Sequence, residues 1–294
     1  MNKYLVAGGC SYTGGGGFNN PQIFNLEFPN IDVTQFEIYH TEIDWLCPKF
    51  REFIKPYLWP SLLSDMLNYK ESYNLAGGGK GIYTSINSIY HFIYKWQSDS
   101  KDVTELEIWF QIPNHNRVET YINNIDKHRC ILTEFDDSSD IKKTFINNFF
   151  DEDFNLLISL HEVYKLKKYC DSLGIVLYII PWSNDSMFKN GLDYIKLRQR
   201  IDKYSNDTNK QHFYKLHTNI YDVTYYDIDL ILDELNIISV ENNDALSNYL
   251  ERNFDSYYFE SKYPNISSDR HMTSEGHIEY AKLLKKIVKI NLEN

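Results

Sequence analysis

The chain lacks any apolar run near the roughly 18 residues that a membrane span requires. Its one N-terminal apolar segment, Tyr4-Leu5-Val6-Ala7, falls short of the about 7–15 residues of an export-signal core. A soluble protein without a signal peptide is expected, cytoplasmic or part of a viral particle. The wealth of Asn, Ile, Lys and Tyr fits an AT-rich bacterial or viral genome. Cysteine is scarce: Cys10, Cys47, Cys130 and Cys170 stand far apart with no CxxC pair, which excludes a disulfide scaffold and a cysteine zinc site. His40, His91, His115 and His161 lack metal-ligand spacing, so no metal and no cofactor are expected. Positive charge is in deficit, 30 Lys and Arg against 41 Asp and Glu, for a net charge of −11. Such a surface has no footprint for nucleic acid or an anionic membrane. Internal repeats and low-complexity linkers are absent too. Residues 1–294 therefore read as one domain, with insertions at about 18–57 and 183–262.

What is abundant is aromatic: 16% of the chain, chiefly Tyr and Phe. Such side chains fill cores and interfaces, and they also line carbohydrate contacts. Residues 18–57 are rich in Phe, Asn and Pro, include Tyr39 and Trp45, and show no sustained period. A segment of this length is either a lid, arm or binding loop, or an insertion packed on the surface.

Around these stretches, strands and helices alternate. Tyr4–Ala7 is a strand. Trp59–Leu67 is a helix with Pro60 in its first turn and an apolar face of Trp59, Leu62, Leu63, Met66 and Leu67. Ser72–Ala76 is a second short strand, followed by a helix carrying Ile82, Ile86, Ile89, Ile93 and Trp96 at helical spacing. Leu106–Phe110 is a third strand. Residues 118–140 are polar and poorly patterned. From Asp153 to Leu173, the apolar Phe154, Leu157, Leu160, Tyr164 and Leu173 mark a long helix closed by Gly174, and Ile175–Ile180 is a strand closed by Pro181. Its unbroken apolar run predicts burial on both faces, as in the middle of a parallel sheet. Amphipathic pieces recur at Leu192–Ile201 and Ile228–Ile238. Thr273 or Ser274 caps a final helix with Ile278, Ala281, Leu284 and Val288 on one face. The alternation predicts an α/β fold: a three-layer α/β/α sandwich around a mostly parallel sheet.

The chemistry gathers at two places. Gly8-Gly9-Cys10-Ser11-Tyr12-Thr13 follows the first strand directly, and a sharp turn there lifts a hydroxyl at the C-terminal edge of the sheet, where open α/β folds hold their ligands. Gly14–Gly17 reads as a flexible rim beside it. Asp269 and His271, two residues apart before the final helix, point the same way in an extended segment, so the carboxylate is able to orient the ring. Gly77-Gly78-Gly79-Lys80-Gly81 is not a phosphate loop, because Gly81 stands where a Ser or Thr would hold magnesium.

Taken together, the chain resembles the SGNH (GDSL-like) hydrolases, a family of esterases, lipases and carbohydrate deacetylases. Gly9-Cys10-Ser11 matches its first motif, and Asn74 with Gly79 its second. Gln111 to Asn116 matches the third, and Asp269, His271, Gly276 and His277 the fourth. The resemblance implies a flavodoxin-like sheet with Ser11 as nucleophile, His271 as base and Asp269 orienting it. It also implies an oxyanion hole from the backbone N–H of Ser11, that of Gly79 and an Asn side chain, Asn114 or Asn116. The chain departs from the family pattern at Cys10, which replaces an Asp, in the third motif, and in the single residue between Asp269 and His271. Cys10 reads as a small buried packing residue, and His277 as packing or capping the final helix. The expected activity is hydrolysis of an ester, such as an O-acetyl group on a carbohydrate, with a small-molecule or glycan ester as partner. Alternatives are an O-acyltransferase with the same triad and a non-catalytic glycan-binding or virion-assembly protein. The oligomeric state stays open.

Overall fold

Strand β1 (Tyr4–Gly8) lies between two parallel neighbours, β4 (Ser72–Asn74) and β5 (Leu106–Ile112). Beyond β5 lies β8 (Val176–Pro181), giving a four-stranded sheet of order β4-β1-β5-β8. The computed structural model describes residues 3–39, 42–44, 47–78, 80–113, 118–120, 130–132, 152–181, 234–235, 237–238, 250, 255–264 and 271–293.

The strands alternate sides with period two, and each side meets its own helices. Val6, Ile108, Phe110, Leu177 and Ile179 pack under α5 (Ile82–Ser98) and α6 (Glu152–Ser172), whose Ile86, Ile89, Ile93, Leu160, Val163 and Leu166 are buried. Leu5, Ala7, Trp109 and Ile180 meet the opposite layer, α4 (Trp59–Leu67) and α8 (Ser274–Glu293). This is the three-layer α/β arrangement the alternation predicts. On α8 the buried face is Tyr280, Ala281, Leu284 and Val288, whereas Ile278 is 36% exposed and does not belong to it.

β8 is buried on both faces, as its apolar run predicts, with Leu177 and Ile179 in one core and Ile180 in the other, although its first residue, Val176, is 38% exposed. It is the last named strand of the sheet, yet Ile179 makes a parallel bridge to Ile237 beyond it, while Leu235 and Ile238 join the two cores. The poorly patterned stretch 118–140 contains an antiparallel pair, β6 (Val118–Thr120) with β7 (Cys130–Leu132). Leu192–Ile201 lies outside the described residues.

The stretch 18–57 is built around a third core. It holds α2 (Pro21–Glu27), the short pair β2 (Ile38–Tyr39) and β3 (Glu42–Ile43), and α3 (Pro48–Ile54). Phe18, Phe24, Phe28, Phe36 and Phe50 close on one another with Phe259, which opens the one-turn helix α7 (Phe259–Lys262). Helices of seven residues, each opened by a proline, make barely two turns, so no period is visible in the sequence. Large rings replace regular structure as the source of buried area, each removing about 150–250 Å² from water. Much of the aromatic excess is therefore core.

Phe24 is fully buried and packs against Phe28, Phe36, Phe50 and Phe53. Phe24→Ala is expected to cost about 3–5 kcal/mol in urea unfolding. Leu26→Ala, on the exposed face of the same helix, should stay within about 0.5 kcal/mol.

Candidate active site

Where β1 ends, the chain turns at Gly9 and enters the one-turn helix α1 (Ser11–Gly14). Gly9 has φ of 153°, and a Cβ there would stand 3.1 Å from the Gln111 carbonyl oxygen and closer still to the Thr13 hydroxyl. Only glycine suits this corner. The turn is then held by side chains from the elements beside it. The Asn74 amide, at the end of β4, donates to the Thr13 carbonyl oxygen (2.9 Å) and accepts the Ala76 N–H. The Thr13 hydroxyl donates to Gln111 Oε1 (2.6 Å), and Gln111 Nε2 donates to the Tyr280 hydroxyl (2.9 Å). The Ser85 hydroxyl, on α5, donates to the Gly9 carbonyl oxygen (3.1 Å).

Ser11 Oγ lies 2.7 Å from His271 Nε2, across 260 residues of chain. Ser11 is 8% exposed and His271 half-buried. The sequence-derived nucleophile and base therefore meet at hydrogen-bond distance, the relation that serine activation requires. A Cβ on Gly16 would lie within 2.9 Å of Nε2, Cδ2 and Cε1 of that imidazole, and the Tyr12 ring sits 4.4 Å away centroid to centroid. Gly15, Gly16 and Gly17 are buried, so the glycine run is a seat for the ring and not a rim. Asp269, Gly79, Asn114 and Asn116 lie outside the described residues, as do His40, His115 and Trp45.

Cys10 is 1% exposed, in line with a packing role. His277 packs too, yet the helix it caps is α4: Nδ1 accepts the Trp59 backbone N–H (3.3 Å), and Phe18 stacks on the ring. The final helix is capped by Thr273, whose hydroxyl accepts the Gly276 N–H (3.1 Å). Burial, with a smaller push from His271, lowers the His277 pKa to about 3. The Lys80 ammonium reaches the Leu75 carbonyl oxygen and the Ser88 hydroxyl, bracing its own loop. Among the described residues no group of three or more His, Cys, Asp or Glu side chains is placed to hold a metal, and no helix is long and apolar enough to cross a membrane.

Several site residues have no role that the sequence assigns: Thr13 and Tyr280, which brace the turn with the motif residue Gln111, Tyr12, which seats the ring with Gly16, and Glu27. Gln111 had a readable signal, as a neutral polar residue within the otherwise largely apolar strand Leu-Glu-Ile-Trp-Phe-Gln-Ile. Glu27 had none. From the end of α2 its carboxylate, 1% exposed, accepts the Ser274 N–H (3.1 Å) and hydroxyl (2.5 Å), the Lys262 ammonium (2.9 Å) and the Tyr263 hydroxyl (2.8 Å). Burial alone would raise its pKa, but the bonds from Ser274, Lys262 and Tyr263 outweigh burial and hold it below the ordinary value. A carboxylate at the first turn of α8 also suits the helix dipole. Glu27 thus fixes the start of α8, three residues after His271. Neither the family models nor the characterised proteins compared with this chain match it.

Removing a partner from a buried ion pair costs about 3–5 kcal/mol, so Glu27→Ala should lower stability by that order at pH 7. A depressed carboxylate pKa contributes stability above its unfolded value that is lost as pH falls through the folded one. The gap between wild type and variant in urea unfolding should therefore narrow below about pH 4. For His277 the sign differs in origin: the unfolded chain binds a proton that the fold refuses. Stability should fall as pH drops from about 6.5, and His277→Gln should flatten that slope in thermal melts.

Proposed function

We propose that the chain is a serine ester hydrolase of the SGNH type, acting on an O-acyl ester through an acyl-enzyme on Ser11. The observation that carries this reading is the 2.7 Å approach of Ser11 Oγ to His271 Nε2, at the C-terminal edge of a parallel sheet. Ser11 Oγ attacks the ester carbonyl carbon while its proton passes to His271 Nε2. The tetrahedral oxyanion takes hydrogen bonds from the Ser11 backbone N–H and, by the resemblance, from Gly79 and Asn114 or Asn116. His271 then returns the proton to the leaving alcohol as the C–O bond breaks. A water deprotonated by His271 attacks the acyl-serine, and the carboxylic acid leaves with Ser11 reprotonated. Asp269 is the proposed partner that holds the ring in its working tautomer. The alcohol is proposed to be a carbohydrate.

The test is covalent. A fluorophosphonate probe should label wild-type protein at Ser11, and Ser11→Ala should abolish labelling and lower acetyl-ester hydrolysis by a factor on the order of 10³ or more. Absence of labelling, or wild-type rates in Ser11→Ala, would refute the proposal. Gly16→Ala should displace the ring it seats and lower kcat by about 10²-fold, the size of loss that a 1 Å misplacement produces.

A further inference from the structure

A cleft of about 1010 Å³ begins at Gly14 and Asn74, beside the Ser11 turn, and runs between α3 and α5. Its charge runs against that of the protein. In a chain of net charge −11, the cleft is lined by Arg51, Lys55, Lys80 and Lys95 and by a single carboxylate, Glu52. Lys80 braces its own loop, but among the described residues Arg51, Lys55 and Lys95 have no ion-pair partner. Arg51 and Lys95 are exposed and Lys55 half-buried. Along one wall Thr84, Ser88, His91 and Lys95 follow a single face of α5, a length of about 16 Å at 1.5 Å per residue. Tyr73 and Phe92 offer apolar surface between these polar groups.

We infer that this cleft holds an acidic oligosaccharide, with its anionic groups against Arg51, Lys55 and Lys95 and its ester directed to Ser11. The inference rests on the esterase reading for the last clause only. A wall of that length suits several linked sugars better than one small ester. Hydroxyl, amide and aromatic groups interleaved with separated cations match sugar rings that carry spaced carboxylates or sulfates. Desolvation within a cleft strengthens each such contact relative to the open surface.

The experiment uses the full chain with O-acetylated polygalacturonate, O-acetylated dextran as its neutral counterpart, and 4-nitrophenyl acetate. Wild-type kcat/KM should favour the acidic glycan by on the order of tenfold at low salt. That preference should shrink as NaCl rises from about 50 to about 500 mM, because the cations are partly solvent-exposed. In Arg51→Gln/Lys55→Gln/Lys95→Gln the acidic-to-neutral ratio should fall towards one, with the thermal midpoint as a check on folding. Equal rates on both glycans in wild type, or a ratio unmoved in the variant, would overturn the assignment. Failure of the esterase reading shows separately, as no 4-nitrophenyl acetate turnover and no labelling of Ser11. In that event, titration with unacetylated polygalacturonate and dextran sulfate, against plain dextran, decides. Binding of the acidic chains that is lost in the triple variant upholds the cleft, and no binding to either overturns it.

Discussion

Everything at the site depends on a turn that is closed from both sides. β1 runs between β4 and β5, so the ends of those strands flank the corner at Gly9. Each flank supplies an amide side chain, Asn74 from one and Gln111 from the other, and both bind Thr13. A single such bond contributes only about 0.5–1.5 kcal/mol net. Left unmade in a buried place, however, its polar groups would cost more than that. Two amides converging on one residue therefore fix where α1 begins, and with it the direction of the Ser11 hydroxyl. Tyr280 extends the chain of bonds from Gln111 into α8, so the turn and the final helix share one buried polar connection.

The imidazole is placed by a different logic. Its position is set by what is missing beneath it, the side chain of Gly16, and by the anchoring of the chain that follows it. That anchor comes from the aromatic segment 18–57, whose helix α2 ends in Glu27. The segment 18–57 thus has two roles, a core of its own and a fixed post for the start of α8. A lid would have needed weak attachment. A carboxylate taking four hydrogen bonds within the segment is the opposite.

The layered fold was legible because long amphipathic segments repeat one rule many times, as with Ile82, Ile86, Ile89 and Ile93 on α5. Ser11 and His271 were legible because their surroundings are local: a glycine turn after a strand, and a short motif before a helix. What lies beyond β8 was not, since an apolar run reports burial without naming the neighbour, here Ile237. Nor was the role of Gly14–Gly17, because a run of glycines has the same spelling whether it lies open or beneath a ring. Glu27 is the extreme case. Its partners Lys262, Tyr263 and Ser274 come more than 230 residues later, beyond the reach of any local pattern.

The distance along the chain between Ser11 and His271 also has a meaning in time. In a growing polypeptide the imidazole joins the hydroxyl only after 260 further positions have been added. The parallel partners of β1 likewise arrive late, since Asn74 and Gln111 follow by tens of residues. Until then Ser11 lacks the imidazole neighbour that the folded chain gives it. The pair forms only once the segment that carries His271 has been made and the ring settles on Gly16.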